Sequence, residues 1–142
     1  FRKVNGLARV QTLDATVVDR LLRGVGGFKV RYPNHGRHVE ANLTWQVLAL
    51  IEGGRVYRAY TMSSGAPATP TVLGSYRFYW KQPGVNNKAM VHSAYFIRGY
   101  AIHGYASVPP YPASHGCLRV PIPNALEIFN WVRIGDRIDV YV

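Results

Sequence analysis

The most reactive part of the sequence reads Ile102-His103-Gly104 and then, ten residues after Gly104, Ser114-His115-Gly116-Cys117-Leu118-Arg119. It contains the single cysteine of the chain and two of its five histidines. A cysteine attacks a carbonyl carbon as the thiolate, so it needs a nearby base or cation to become ionised. The stretch therefore predicts an ionised nucleophile at Cys117, with either His103 or His115 as its base.

Two other interpretations of the same residues stay open at this point. Cysteine is among the most buried residue types, so Cys117 is also compatible with a purely structural role. A metal site is less favoured, because His115 and Cys117 are separated by one residue, which is tighter than in ordinary zinc sites. Its ligands would be His92, His103, His115 and Cys117. We therefore predict neither a metal nor another cofactor, and we assign no role to His92.

Length and composition predict one folded domain. The chain has 142 residues, of which 48% are hydrophobic and 17% charged, a composition typical of globular proteins rather than disordered ones. A single cysteine excludes an internal disulfide. No apolar run approaches the roughly 18 residues needed to cross a bilayer.

Charge is distributed unevenly along the chain. Seventeen Lys and Arg against seven Asp and Glu give a formal charge of +10. Residues 53–126 contain no acidic residue but seven cations, which are Arg55, Arg58, Arg77, Lys81, Lys88, Arg98 and Arg119. This half of the chain favours a partner that carries carboxylates or phosphates. We find no RNP-like or helix-turn-helix pattern, so nucleic acid is not the predicted partner, and membrane association is left open.

Hydrophobic periodicity predicts strands through most of the chain. The predicted strands are 39–44, 47–51, 55–62, 75–80, 94–102, 117–120 and a half-buried last strand over 137–142. Residues 81–88, rich in Pro, Gly and Asn, are predicted to form a mobile loop.

Two short helices are predicted at the ends. Asp14 is a plausible N-cap for a helix over 15–23, whose apolar face holds Val17, Val18, Leu21 and Leu22. A second helix over 125–133 has Leu126, Phe129 and Val132 on one face and ends before Gly135. Many strands with few helices predict a mostly β sandwich or barrel-like domain.

The histidine and cysteine motifs resemble a known signature. Ser114-His115-Gly116-Cys117-Leu118-Arg119, with Ile102-His103-Gly104 upstream, is similar to the signature of the L,D-transpeptidase catalytic domain, the YkuD-like family of bacterial cell-wall enzymes. Residues 42–48 are similar to its opening strand pair, and residues 68–76 to its Thr-Pro…Gly-x-Phe element. The resemblance spans residues 39–142 and implies a YkuD-like β-sandwich with one short helix after the catalytic motif.

The resemblance implies a role for each site residue. Cys117 is the nucleophile, His103 its base, and the main-chain carbonyl of Gly104 the third member of the triad. His115, Gly116 and Cys117 are expected to supply the turn and the N–H donors for an oxyanion. Arg119 is expected to hold the site or a substrate carboxylate, and Ser114 to brace the loop. Residues 81–89 and four aromatic side chains are expected to form a lid and walls, the aromatics being Tyr95, Phe96, Tyr100 and Tyr105.

The implied reaction is acyl transfer between peptidoglycan stem peptides. A thioester formed on a tetrapeptide stem is passed to an amine of a neighbouring stem, which gives L,D (3-3 type) cross-links. Carbapenem-type β-lactams are the implied inhibitors, and the implied location is the cell envelope, after export. Two alternatives remain, an L,D-carboxypeptidase that hydrolyses the same bond and a non-catalytic wall-binding module.

The N-terminal residues carry a second, separate resemblance. Phe1-Arg2-Lys3-Val4-Asn5-Gly6-Leu7 and the helix that follows are similar to the last part of a small helical peptidoglycan-binding module. We therefore predict a module remnant with linker over 1–27 and a catalytic domain over 28–142. The alternative is an ordinary N-terminal helix packed on the domain.

Overall fold

A computed structural model describes all 142 residues. It contains nine strands and two α-helices, and their bounds in chain order are α1 Ala15–Leu22, β1 His38–Asn42, β2 Val47–Glu52, β3 Arg55–Thr61, β4 Gly74–Arg77, β5 Trp80–Val85, β6 Val91–Ile97, β7 Tyr100–Tyr105, β8 Leu118–Pro121, α2 Ile122–Trp131 and β9 Arg137–Tyr141. One sheet has the order β3-β2-β1-β9-β4 and the other the order β5-β6-β7-β8. The predicted mostly β fold with two short helices is confirmed.

Apolar side chains from both sheets form one main core. Its largest fully buried members include Leu48, Met62, Phe78, Leu118 and Ile138, so both sheets contribute. Helix α2 packs against β6 and β7 and adds Ala125, Ile128 and Val132 to the same core. The arrangement leaves the outer face of the β5–β8 sheet free to carry a pocket.

One connection determines where the reactive residues meet. Strands β7 and β8 are parallel neighbours, so the chain must cross back between them over residues 106–117. This crossing segment carries residues 114–117 of the motif, and β7 carries His103. The pairing therefore brings the two halves of the motif together.

Strands β1 and β9, in the middle of the larger sheet, are buried on both faces, which corrects the half-buried pattern predicted for residues 137–142. The segment before β1 covers their outer face. Glu40 accepts hydrogen bonds from the backbone N–H groups of Arg31 and Tyr32 and from the Tyr141 hydroxyl, and His35 contacts Asp139 at 2.8 Å. These partners lie outside the strand that each buried group belongs to, so alternation along one strand could not reveal their burial.

The prediction of a loop over residues 81–88 is wrong. Residues Trp80–Val85 form β5, which pairs with β6, and the register shifts between Gln82 and Val85. That irregularity accommodates Pro83 and Gly84, because a bulge tolerates residues that a regular ladder does not. Only residues 86–89 form a turn, so the predicted lid over 81–89 is largely a fixed edge strand.

Two predicted strands are each divided in the structure. The strand predicted over 75–80 ends at Arg77, and Trp80 begins the next strand. The strand predicted over 94–102 is a hairpin, because a turn at Arg98 and Gly99 separates β6 from β7. Arg98 has a φ of +48°, a left-handed conformation that supports this reversal.

The two helices occur where they were predicted, but their buried faces differ from the prediction. Asp14 caps α1 by accepting a hydrogen bond from the Val17 N–H at 3.0 Å. In α1 only Val17 is buried, whereas Val18, Leu21 and Leu22 are exposed. In α2 Ala125 and Ile128 face the core, while Leu126 is exposed. Neither helix is long and apolar enough to span a membrane.

The N-terminal segment packs on the rest of the protein through cations. The Lys3 ammonium donates to the Gln46 carbonyl at 2.8 Å and to the Thr61 hydroxyl at 2.6 Å. Arg9 donates to the carbonyls of Pro110 and Thr44. Burial lowers the pKa of Lys3 to about 8, and the Arg9 charge contributes. The module remnant proposed for 1–27 stays a prediction.

Candidate active site

A pocket of about 440 Å³ opens on the outer face of the β5–β8 sheet. Its wall contains seven of the site residues named from the sequence, which are Tyr100, His103, Tyr105, Ser114, His115, Cys117 and Arg119. Lys88, Met90 and Gly99 complete the wall. The structure thus brings together side chains from the β5–β6 turn, the β6–β7 hairpin, β7 and the segment entering β8.

The strands fix the relative positions of these residues. His103 on β7 lies opposite Arg119 on β8 in the parallel register. Cys117 directly precedes β8, so it lies one position earlier than Leu118, which pairs with Ile102. The nucleophile and base predicted from the motif therefore share one end of a single strand pair.

The His103 ring is held in one orientation. Its Nδ1 lies 2.9 Å from the Gly104 carbonyl oxygen, and the side chain is only 3% exposed. A carbonyl only accepts hydrogen bonds, so Nδ1 carries the proton and Nε2 has the free lone pair in the neutral ring. Nε2 makes no hydrogen bond within the protein and is not among the fully enclosed unpaired atoms.

The electrostatics of the pocket favour a neutral imidazole. Burial lowers the pKa of His103, the nearby Arg119 charge lowers it further, and the hydrogen bond to the Gly104 carbonyl opposes both effects. Because its pKa is lowered, the His103 ring stays neutral down to a lower pH than an ordinary histidine does. In this state Nε2 is available to accept a proton.

Cys117 is partly exposed in the pocket wall and also packs against the Met90, Tyr95 and Ala101 cluster. Burial raises the pKa of its thiol, while the Ala101 N–H and the charges of Lys88 and Arg119 partly oppose this rise. The thiol donates a weak hydrogen bond to the Gly99 carbonyl at 3.7 Å. No hydrogen bond joins the sulfur to His103. Burial therefore shifts Cys117 towards the neutral thiol, whereas the sequence led us to expect an ionised sulfur.

The turn before Cys117 is braced by Ser114. The Ser114 hydroxyl donates to the Cys117 carbonyl at 2.5 Å and accepts the Gly116 N–H at 3.1 Å. Gly116 has a φ of +116°, and a side chain there would overlap the Tyr100 ring. Glycine is therefore required by both backbone conformation and space.

The same contacts correct one expectation about the oxyanion donors. The Gly116 N–H is engaged by Ser114, so it is not free for a substrate oxygen. The backbone N–H groups of His115 and Cys117 have no hydrogen-bond partner within the protein. They are the two donors of this turn that remain available.

A segment distant in sequence clamps the same turn. The Ala66 N–H and the Thr69 hydroxyl both donate to the Ser114 carbonyl, at 2.8 and 3.1 Å. The Thr71 hydroxyl donates to the Gly116 carbonyl at 2.8 Å. Thr69 and Thr71 both lie in residues 68–76, the stretch similar to the family's Thr-Pro element, but the sequence assigned no clamping role to either side chain.

Aromatic residues occupy different positions from those expected. Tyr105 lines the pocket, and the Arg119 guanidinium lies 4.3 Å from the centre of its ring. Tyr95 does not line the pocket: it packs with Met90 and Ala101 beside Cys117, its hydroxyl donates to Gln82, and its ring stacks on Trp80. Phe96 is buried in the main core. Tyr105 and Tyr100 are therefore wall residues, whereas Tyr95 and Phe96 support the sheet.

The two other histidines considered as metal ligands, His92 and His115, lie in different surroundings. His92 lies at an irregular position of β6, where its Nδ1 accepts the Gly84 N–H at 3.1 Å. His115 is exposed at the pocket edge. No three His, Cys, Asp or Glu side chains are grouped in a way that could hold a metal ion.

Gly104 also has a packing role beneath His103, which gives a stability prediction. A Cβ at this position would lie 2.8 Å from the Ala125 Cβ and 3.1 Å from the Val91 Cβ. We expect Gly104→Ala to destabilise the protein by about 1–3 kcal/mol through overpacking. Thermal unfolding should show a lower midpoint for this variant but not for the control Gly27→Ala, whose Cβ has open space. Equal midpoints would contradict the packing role.

Comparison with known proteins identifies the family of this fold and site. Residues 36–140 match the family model of the YkuD L,D-transpeptidase catalytic domain. The chain belongs to the L,D-transpeptidase catalytic domain family. No curated protein sequence shows significant similarity to the chain.

Solved structures support the assignment. An L,D-transpeptidase from Xylanimonas cellulosilytica is 31% identical, with a TM-score of 0.91 over 99% of this chain and 76% of its own. An L,D-transpeptidase from Stackebrandtia nassauensis has the same fold at 20% identity and a TM-score of 0.73, covering 100% of this chain and 74% of its own. A further L,D-transpeptidase, solved in complex with imipenem, has a TM-score of 0.66 at 22% identity over 75% of this chain and 61% of its own.

Proposed function

We propose that the protein is a cysteine acyltransferase that forms L,D (3-3 type) cross-links between peptidoglycan stem peptides. The observation that carries the proposal is a partly exposed thiol and a histidine with a free Nε2 in one pocket. Cys117 is the nucleophile in this proposal and His103 its base. The Gly104 carbonyl holds the ring in the tautomer that this role requires.

In the first half-reaction, the sulfur of Cys117 attacks the carbonyl carbon of the L-centre in an L,D peptide bond. The thiol proton passes to Nε2 of His103 as the sulfur–carbon bond forms. The thiol first leaves the Gly99 carbonyl, and catalytic hydrogen bonds commonly tighten only when substrate is bound. The backbone N–H groups of His115 and Cys117 donate to the developing oxyanion.

Collapse of the tetrahedral intermediate breaks the L,D peptide bond. The nitrogen of the terminal D-residue takes the proton from His103 and leaves, and a thioester with Cys117 remains. An amine of a neighbouring stem then attacks the thioester carbonyl carbon, the new amide bond forms as the carbon–sulfur bond breaks, and the amine proton passes through His103 to the departing sulfur. No acidic side chain lines the pocket, so carboxylate-bearing peptides meet no repulsion there.

The reaction is tested with a tetrapeptide stem as donor and a second stem as amine acceptor. We expect mass spectrometry to show a cross-linked dimer together with one released D-residue per link. Release of the D-residue without dimer would instead assign an L,D-carboxypeptidase. Neither product, with no covalent adduct from imipenem, would leave a non-catalytic wall-binding module.

Imipenem is a suitable covalent probe for the same thiol. A related L,D-transpeptidase has been solved in complex with this compound. We propose that carbapenem-type β-lactams acylate Cys117 and thereby inhibit the enzyme. The proposal also includes export to the cell envelope, since the substrate polymer is located there.

The protonation states predict a characteristic pH dependence. Because burial raises the pKa of Cys117 and lowers that of His103, the neutral pair exists across neutral pH. We expect the acylation rate with imipenem to stay constant around neutrality and to fall only below the ordinary histidine pKa of about 6.5, as His103 becomes protonated. Stopped-flow measurement across this range checks the profile.

The ultraviolet absorbance of the thiolate provides the matching control. It should develop only above the ordinary thiol range in the parent protein and be absent from Cys117→Ala. A full thiolate signal at neutral pH would show that the resting pair is ionised and that the neutral-pair interpretation is wrong.

A further inference from the structure

The β5–β6 turn brings an unassigned cation to the pocket. Lys88 lies in this turn, and its side chain lines the pocket together with Cys117 and Arg119. It is close enough to the sulfur for its positive charge to act on the thiol. The motif that defines the site does not include this residue.

The backbone of this turn is held in a fixed conformation. The Asn86 side-chain oxygen accepts the N–H groups of Lys88 and Met90, both at 3.0 Å. The Asn86 amide donates to Gln82, which also accepts the Tyr95 hydroxyl. These contacts join the turn to the sheet beneath Cys117, so the position of Lys88 is built into the fold.

The Lys88 ammonium has no partner within the protein. It makes neither a hydrogen bond nor an ion pair, although the Lys3 and Lys81 ammonium groups both donate to backbone carbonyls. The pocket contains no carboxylate that could neutralise it. A second cation, Arg119, faces the same space, where it lies over the Tyr105 ring. Two unpaired cations in one pocket repel each other until an anionic ligand binds.

The two cations are attached on opposite sides of the strand that carries His103. Lys88 lies in the turn three residues before β6, Arg119 lies on β8, and β7 runs between these two strands. Neighbouring strands lie about 4.8 Å apart, so the two side chains reach the pocket from opposite sides of β7. This separation suits two anionic groups of one ligand better than one group shared by both cations.

We propose that Lys88 is a specificity-determining residue that binds one carboxylate of the donor peptide, while Arg119 binds a second carboxylate of the same peptide. The proposal rests on the acyl-transfer function proposed above. Lys88 acts on ground-state binding of the donor and takes no proton in the reaction. Its loss therefore affects KM for donors that carry the carboxylate bound by Lys88 more than it affects kcat.

Two donor peptides test the proposal, identical except that one carries a side-chain carboxylate and the other the matching carboxamide. Release of the terminal D-residue is measured for the parent, for Lys88→Met, and for the control Lys29→Met, which removes the same charge at an exposed site outside the pocket. We expect the parent and Lys29→Met to prefer the carboxylate donor in kcat/KM by about tenfold. Lys88→Met should lose this preference through a higher KM for that donor.

The outcomes separate this proposal from the one on which it rests. A parent that processes both donors equally well, or a Lys88→Met variant that keeps the preference, would overturn the role of Lys88 and leave acyl transfer intact. A parent that releases no D-residue from either donor would overturn the proposed function itself. Lys88→Arg keeps the charge and should retain most of the preference, which distinguishes charge recognition from loss of turn structure.

Discussion

Cys117→Ala is expected to abolish covalent labelling by imipenem. In the proposed mechanism the sulfur forms the only bond between protein and acyl group, and alanine offers no nucleophilic atom. Intact mass after incubation should shift by one imipenem in the parent and by nothing in the variant. Cross-linked dimer and released D-residue should disappear together in the same variant.

The variant remains a fair test because it should still fold. Cys117 packs against Met90, Tyr95 and Ala101 at the pocket edge, so removal of one sulfur atom leaves only a small gap beside a solvent-filled space. Thermal unfolding of the variant should lie close to that of the parent. A persistent adduct on folded Cys117→Ala would show that another residue is acylated, and the role of the chain's single cysteine would be lost.

The sequence predicted the class of fold because most of its signals were local. The hairpin at Gly53 and Gly54 follows from two glycines between apolar runs, and both adopt positive φ as such a turn requires. The helix after Asp14 follows from a capping residue and a 3.6-residue period. These signals depend on neighbours in the chain, which sequence analysis examines directly.

The sequence-based predictions of secondary structure and burial are wrong where tertiary contacts override local signals. Residues 81–85 contain Pro83 and Gly84, which favour a loop, yet pairing with β6 and a bulge make them an edge strand. Asp139 and Tyr141 look like the exposed side of β9, but His35, in the segment before β1, pairs Asp139, and Glu40 on β1 accepts the Tyr141 hydroxyl. Neither partner could be found from the pattern of the strand itself.

The residues of the candidate site also separate into those that a local motif predicts and those that only the fold brings together. His103 and Cys117 follow from the motif, and the structure brings both to one pocket. The clamp from Thr71 and the cation of Lys88 come from distant elements that only the fold unites. The protonation state of Cys117 depends on burial, which favours the neutral thiol, whereas the cationic sequence favoured the ionised form.

His103→Ala is expected to slow acylation by imipenem by about 10²- to 10⁴-fold, the usual contribution of a positioned general base. The size of the loss follows from the neutral resting thiol, because an intrinsically ionised sulfur would need little help to attack. Loss of the imidazole leaves the thiol of Cys117 with only the Gly99 carbonyl as a neighbouring acceptor. A carbonyl oxygen does not take a proton at neutral pH, so it cannot replace Nε2.

Two variants at other histidines test whether the role of general base belongs to His103 alone. His115→Ala keeps the backbone N–H proposed to bind the oxyanion and should lose far less activity than His103→Ala, since the exposed His115 ring makes no hydrogen bond. His92→Asn serves as the remote control, because Asn tolerates the positive φ of +49° at that position. His103→Ala should also gain rate as pH rises and thiolate forms, unlike the parent. If the rate of His103→Ala equals that of the parent at neutral pH, another group deprotonates Cys117 and the orientation imposed by the Gly104 carbonyl has no catalytic meaning.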